Sequence, residues 1–355
     1  MNITIVGVGN AGSTLAAFLS ARGHRIILLK TSNKLHNDHY EYLKKHSQIK
    51  VIDDADDDFS AKIDCITDSF AEAIPLADFI IVYVQTNYHE QVIQKMSEYL
   101  HDGQFILFEP GYLATCYLLK YCNKDVVSIE AESSPIDCRI TEPGVCRVLF
   151  KNVINPVGVF PKYKEDVASV MMDKLGFPYR FTSNVFEAAL HNPNLIVHTV
   201  GAIFSIPRIE YTNGDYWMYK EVFTPHVWNI CESLDKEKMK IMQHTGIKNV
   251  QSYVQACQER NFIDDPRSPL DSFFDYALNS SPKGPSVPDS RYITEDVPEG
   301  LVLLESLGKA FNIPTPTCSG LIDVANAALS RDFRSSGRTV QKLDTKVIEL
   351  LYNDN

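Results

Sequence analysis

"MNITIVGVGNAGSTLAAFLSARGHRIILLK", residues 1–30, decides the fold. It opens with a short β-branched run, breaks at the glycine-rich Gly7–Gly12, repeats Leu15, Phe18 and Leu19 at helical spacing, and turns apolar and extended again over Arg25–Lys30. Strand, turn, helix and strand in one short segment make a βαβ unit. Working outward, the pattern predicts further strands at Phe79–Val84, Phe105–Phe108 and Val126–Ile129, with helices over Tyr88–Leu100 and Tyr112–Tyr121. Such alternation implies an α/β fold, a doubly wound and mainly parallel Rossmann sheet covered on both faces. Arg139–Phe160, rich in valine and turn residues, predicts antiparallel strands closing this domain. From about Thr182 the periodicity becomes helical, as in "NGDYWMYKEVFTPHVWNICESLDKEKMKIMQHTG" (213–246); Tyr211, Trp217 and Tyr219 nearby could line a pocket, but an aromatic cluster is more often core. The expected organisation is an α/β domain over 1–181 and a mostly α-helical domain over 182–355.

The chain has 355 residues, more than a single core usually serves, and its 45% hydrophobic content can build two. A formal net charge of -11 argues against nucleic acid and anionic membranes as partners, because phosphate binding needs a basic face. The eight cysteines form no C-x-x-C pair, and they read as reduced thiols of a cytoplasmic protein. No basic leader and no apolar run of bilayer length is evident, so a soluble protein is expected. The acidic run "DDADDD" at 53–58 reads as a solvated loop, and no metal site is expected. The sequence leaves the oligomeric state open, a homodimer included.

Gly7-Val8-Gly9-Asn10-Ala11-Gly12 matches G-x-G-x-x-G between a strand and a helix. In that setting the first glycine makes the turn, the second admits a pyrophosphate, and the third allows close helix-to-strand packing at a helix N-terminus. A dinucleotide is therefore expected on Gly7, Gly9, Asn10, Ala11 and Gly12. The second strand ends not in the usual ribose-binding acid but in Lys30-Thr31-Ser32-Asn33-Lys34. With Lys30 and Ser32 suited to a 2′-phosphate, NADP(H) is favoured over NAD(H). Gln85, after the strand at 79–84, is expected beside the nicotinamide ribose.

A second polar signal is "HNPNLIVH", His191–His198, in an otherwise apolar run. As a helix, with Asn192 as N-cap and Pro193 at its first position, it would put His191, Asn194 and His198 on one stripe. His191 lies two turns from His198, about 10.5 Å of rise, too far to share a metal ion, and reads as structural. Downstream, "SRYITEDVPEGLVLLESLGKAF" (290–311) places Arg291, Glu295 and Asp296 ahead of a helix expected to start at Pro298. Taken alone, Asp296 could be a cap.

Asn194-x-x-x-His198 after a Rossmann domain, followed a hundred residues later by Arg291-Tyr292-x-Thr294-Glu295-Asp296-Val297-Pro298, resembles the opine dehydrogenases, the octopine and nopaline dehydrogenase family. The resemblance spans roughly 1–340 and includes Pro110-Gly111, Ser134-Pro135-x-x-Cys138-Arg139 and "GRTVQKL" at 337–343. It implies a Rossmann domain and a helical domain with the substrates meeting between them. The implied reaction is NAD(P)H-dependent reduction of the imine formed from a 2-keto acid and an amino acid. His198 would be the acid/base, Asp296 its partner, Asn194 a hydrogen-bond donor to the substrate, and Arg291 the carboxylate grip, with Cys138 in the substrate-binding segment. Asp137, where a small apolar residue is expected, departs from the family pattern; it either favours a cationic substrate or is exposed and irrelevant. Two competing readings remain: a 2-keto or 2-hydroxy acid reductase resembling ketopantoate reductase, and a dinucleotide sensor without turnover.

Overall fold

The computed structural model describes residues 1–32 and 34–354. The chain divides into two compact units, residues 1–188, joined by Asp354, and residues 189–353. The division falls later than the expected 181/182, since the change to helical periodicity starts before the first unit ends.

The first unit runs β1 (Asn2–Val6), α1 (Asn10–Ala21), β2 (Arg25–Leu29), α2 (Asn37–His46), β3 (Gln48–Asp53), β4 (Phe59–Lys62), β5 (Cys65–Thr67), α3 (Phe70–Ala73), β6 (Phe79–Val82), α4 (His89–Ser97), β7 (Phe105–Phe108) and α5 (Ala114–Tyr121). It continues with β8 (Val127–Ala131), β9 (Ile136–Glu142), β10 (Val145–Lys151), β11 (Asn155–Phe160), α6 (Glu165–Asp173) and β12 (Tyr179–Phe181), and α7 (Val185–Leu190) spans its end. The main sheet has the order β12-β11-β8-β7-β6-β1-β2-β5. Its strands are parallel except at the β8–β11 pair, which is antiparallel. β6 and β7 are buried at every position, as strands covered on both faces must be.

The valine-rich region is antiparallel, as expected, but divides between two sheets. Only β11 enters the main sheet, whereas β9 and β10 form a hairpin in a second sheet of order β4-β3-β10-β9. β3 and β9 alternate buried and exposed residues, the mark of a half-covered sheet, and α1 packs against this one. The "DDADDD" run is the β3–β4 turn and is paired rather than merely solvated. Asp53 is buried against Lys151 (2.5 Å), Asp54 pairs with Arg147 (2.8 Å), and Asp56 shares Lys151 (2.5 Å). Among the described residues no His, Cys, Asp and Glu cluster could hold a metal ion.

The second unit is helical: α8 (Asn194–Thr212), α9 (Met218–Glu221), α10 (Pro225–His244), α11 (Tyr253–Phe262), α12 (Pro269–Asn279) and α13 (Arg291–Thr294), then a π-helical turn (Val297–Leu301). α14 (Val302–Ala310), α15 (Pro316–Leu329), α16 (Phe333–Ser336), α17 (Val340–Leu343) and α18 (Thr345–Asn353) complete it. Tyr219 joins an aromatic cluster with Phe223, Phe273 and Tyr276, as expected of a core residue. Tyr211 does not: it is 83% exposed at the solvent face of α8, and Trp217 is exposed as well. Among the described residues no helix is long and apolar enough to cross a membrane.

Candidate active site

The three glycines of the first turn are explained by different neighbours. Gly7 has φ +125°, a conformation β-carbons resist, donates its N–H to Leu29 O (2.8 Å), and lies so close to the Tyr83 carbonyl that a side chain would collide. Gly12 packs against the Gly7 carbonyl and Ile5, where a β-carbon would also collide. A β-carbon on Gly9 would make only ordinary contact, 3.6 Å from the His36 ring. Packing therefore accounts for Gly7 and Gly12 but not for Gly9. Room at the start of α1 is what Gly9 provides, and Gly9 is its N-cap without any capping side chain. The orphan N–H groups of that first turn, Asn10 and Ala11 among them, are the donors a pyrophosphate needs, so the residues present fit a dinucleotide. The Asn10 side chain has other work, since its Oδ1 accepts the Ile140 N–H (2.9 Å) and ties α1 to β9.

Lys30 departs from expectation. It is 5% exposed, its Nζ donates to Leu35 O (2.9 Å) and lies 5.2 Å from the Tyr40 ring centroid, so its ammonium is turned inward rather than offered to a phosphate. Ser32 is exposed, its Oγ accepting the Lys34 N–H (3.2 Å). Asn33 lies outside the described residues. Gln85 is half-buried and opens a short 3₁₀ turn, Thr86–Tyr88, after β6. Two histidines of this region are not evident from the sequence pattern: His36, against Gly9, and His39, buried beneath it. His39 Nδ1 accepts the Gly144 N–H (3.1 Å) and its Nε2 donates to Ser13 Oγ (3.0 Å). Burial, then the nearby His36 and Lys30, push its pKa down to about 4.

In the second unit, Asn192 Oδ1 accepts the Asn194 N–H (3.0 Å), and α8 begins at Asn194 with Pro193 just outside it, one residue later than predicted. His198, one turn on, is buried, and its Nδ1 lies 2.9 Å from Asp296 Oδ2 across 98 residues of sequence. A carboxylate can only accept, so Nδ1 carries the proton and Nε2 is left to exchange one. The Tyr292 ring stacks on the imidazole, centroids 3.7 Å apart and planes at 6°. Tyr292 was not singled out in the sequence, although it stands beside Arg291. Asn194 is half-buried, and Arg291 is exposed at the start of α13. The predicted helix start at Pro298 is instead the π-helical turn, which follows directly on Asp296. Such one-turn deformations are frequent at functional sites.

His191 is buried, with Lys238 Nζ 3.4 Å from its Nδ1, and buried Lys238 pairs with Asp235 (2.7 Å). That is a structural cluster, as expected. Cys138 does not fit a substrate contact. Alternation along β9 turns it into the core of the first unit at 2% exposure, and burial pushes its thiol up to about 12. Asp137 faces outward on β9, its carboxylate paired with Arg139 (2.8 Å).

A glycine turn on a Rossmann sheet and a histidine–carboxylate pair in a helical unit define a dinucleotide-dependent dehydrogenase. Residues 181–329 match the family model for the NAD/NADP octopine/nopaline dehydrogenase α-helical domain, and residues 2–109 match that for the NAD-dependent glycerol-3-phosphate dehydrogenase N-terminus. An opine dehydrogenase of Arthrobacter sp. (strain 1C) is 26% identical, the match covering 96% of this chain and 94% of that protein. A solved structure of octopine dehydrogenase with NADH and L-arginine superposes with TM-score 0.76 at 18% identity, covering 99% and 98% of the two chains. Yersinopine dehydrogenase with NADP⁺ bound gives 0.76 at 16% identity, covering 100% and 99%. Over nearly its whole length the chain is thus similar to opine dehydrogenases, and it shares their fold.

Proposed function

We propose that this protein reductively condenses a 2-keto acid with the amino group of an amino acid, giving an N-(carboxyalkyl) amino acid. The observation that carries the reading is the His198–Asp296 pair held under Tyr292, in a chain whose relatives include opine dehydrogenases. His198 Nε2 takes a proton from the substrate ammonium, which frees the nitrogen lone pair to attack the keto carbon. The imidazolium then returns that proton to the carbinolamine hydroxyl, which leaves as water and yields the imine. Asp296 fixes the tautomer and stabilises the transient imidazolium. Bound NAD(P)H supplies the hydride that reduces the imine carbon. One keto acid, one amino acid, NAD(P)H and a proton thus give the secondary amine, NAD(P)⁺ and water.

Asn194, one turn before His198, would hydrogen-bond the carbonyl or the departing water, and Arg291 would grip a substrate carboxylate with its planar fork. NADP(H) is the preferred cofactor in this reading, because residues 30–34 bring no carboxylate to repel a 2′-phosphate and Lys34 adds positive charge. The eight cysteines are all free thiols, which suits the cytoplasm.

A substrate panel tests the proposal: loss of NADPH or NADH absorbance with pyruvate, glyoxylate or 2-oxoglutarate, each with and without amino acids. Turnover should require both partners and yield the condensed product by mass spectrometry. Full turnover with the keto acid alone would make the protein a simple keto acid reductase instead.

A further inference from the structure

Asp296 is aimed by a helix that is not regular. α13 ends at Thr294, and the π-helical turn Val297–Leu301 intervenes before α14 resumes. A π-turn carries one more residue per hydrogen-bonded loop than an α-turn, and such single turns are rare and recur at functional sites. Pro298 lies inside this one and brings no N–H.

What holds the turn comes from the far end of the unit. The Arg338 N–H donates to Pro298 O (2.9 Å), and Gly337 packs so closely that a β-carbon would come within 2.6 Å of that oxygen and 2.8 Å of Val302 Cβ. The Arg338 side chain, fully buried, sends its Nε to Glu299 Oε2 (2.8 Å) on the same turn. The following residues latch onto α14, the Val340 N–H donating to Ser306 Oγ (2.9 Å). Arg334 anchors the segment from the other side, pairing with Glu305 (2.8 Å) and Asp323. Glu299 is buried, and its carboxyl is raised above the usual range by desolvation, countered by Arg338 and raised further by Asp296 close by. The Glu299 carboxylate of the turn is thus paired with the Arg338 guanidinium, and the Asp296 carboxylate stands at the head of the same turn. A buried arginine is costly unless its pairing is complete, and a plain packing role is filled more cheaply by an apolar side chain.

We propose that Arg338 is a positioning residue of the His198–Asp296 pair, acting through Glu299 and the π-helical turn to fix the direction of the Asp296 carboxylate. This rests on the acid/base reading of His198 given above. Arg338 does not touch substrate; it determines whether Asp296 meets Nδ1 squarely.

The test compares wild type with Arg338→Met, Glu299→Gln, the double variant Arg338→Met/Glu299→Leu, and His198→Ala as reference. The measurements are kcat, KM for both substrates, dinucleotide affinity, melting temperature and the ¹⁵N shifts of His198. Misplacing a reacting group by about an ångström costs on the order of 10²-fold. Arg338→Met should therefore lose roughly that in kcat, with both KM values and cofactor affinity within about threefold. The His198 nitrogens should pass from a single Nδ1–H tautomer to a mixture. The double variant, free of an unpaired buried charge, should regain melting temperature without regaining kcat, and it keeps the test open if Arg338→Met fails to fold; Glu299→Gln should lose kcat with Arg338 still present. A double variant whose kcat recovers along with its stability, or an unchanged His198 tautomer in the single variants, would overturn the proposal. Wild-type turnover in His198→Ala would instead overturn the acid/base reading beneath it.

Discussion

Acidification should loosen the first unit through one buried histidine. His39 accepts a backbone N–H on Nδ1 and donates from Nε2, an arrangement that only the neutral ring can make. Its pKa is about 4 in the folded protein against an ordinary 6.5. The unfolded chain therefore binds more protons than the folded one between those values, so stability is complete above pH 6.5 and falls as the pH drops toward 4. The full difference is worth about 3.4 kcal/mol, of which about 2 kcal/mol is lost by pH 5. His39→Gln removes this dependence while retaining hydrogen-bonding groups. Both tryptophans, Trp217 and Trp228, lie in the second unit, so tryptophan fluorescence would follow the wrong half. Hydrogen exchange of peptides from α1 and β10 at pH 7.5 and pH 5, corrected for intrinsic rates, reports the right one. Wild type should lose about 2 kcal/mol more protection than His39→Gln across that interval. Equal losses in the two proteins would show that His39 is not held neutral, and the account of its burial would fall.

Further outcomes are expected at both sites. His198→Ala should lower turnover by roughly 10² to 10⁴ with dinucleotide binding unchanged, and Asp296→Asn should act in the same direction less severely; steady-state rates within threefold of wild type, alongside normal cofactor titration, would remove the pair from the chemistry. Arg291→Ala should raise the KM of one substrate about tenfold and Arg291→Lys should rescue little, because a point charge lacks the fork; unchanged KM values for both substrates would take Arg291 out of the site. Gly9→Ala should weaken dinucleotide binding at unchanged melting temperature, whereas Gly12→Ala should lower the melting temperature itself; calorimetry on both variants separates a ligand role from a packing role. NADPH should give the higher kcat/KM, and Lys34→Ala should reduce that advantage about two- to fivefold, the worth of an exposed charge pair; a preference for NADH would refute the 2′-phosphate reading.

The Rossmann half was legible because its signals are local. The Gly7–Gly12 turn and the apolar runs at β6 and β7 each declare themselves within a few residues. The second sheet escaped because its pairing is not local: β3 joins β10 from far along the chain, and "QIKVID" alternates too briefly to name a partner. The same limit applies to Lys30, whose inward turn depends on Leu35 and Tyr40. His198 and Asp296 were singled out through their family contexts, yet the distance between them is a tertiary fact. Tyr292 stands in a motif already quoted, and a ring beside an exposed arginine gives no local sign that it will stack on a histidine far away in sequence. Cys138 was misassigned because a segment's resemblance does not reveal which face of a strand each residue takes.

The parallel pairing of β3 with β10 bears on how the chain emerges from the ribosome. β3 and β4 are neighbours and can zip as a hairpin early, but β10 is synthesised much later, after the strands β5–β8. Until then one edge of β3 is an open template for any passing strand. Lys50 on that strand and the aspartates of the turn after it put charge along the open edge. In the finished fold Asp53, Asp54 and Asp56 meet Lys151 and Arg147 of β10. Charge along an unpaired edge disfavours apolar strands, and the two cations of β10 make it the strand that complements this one.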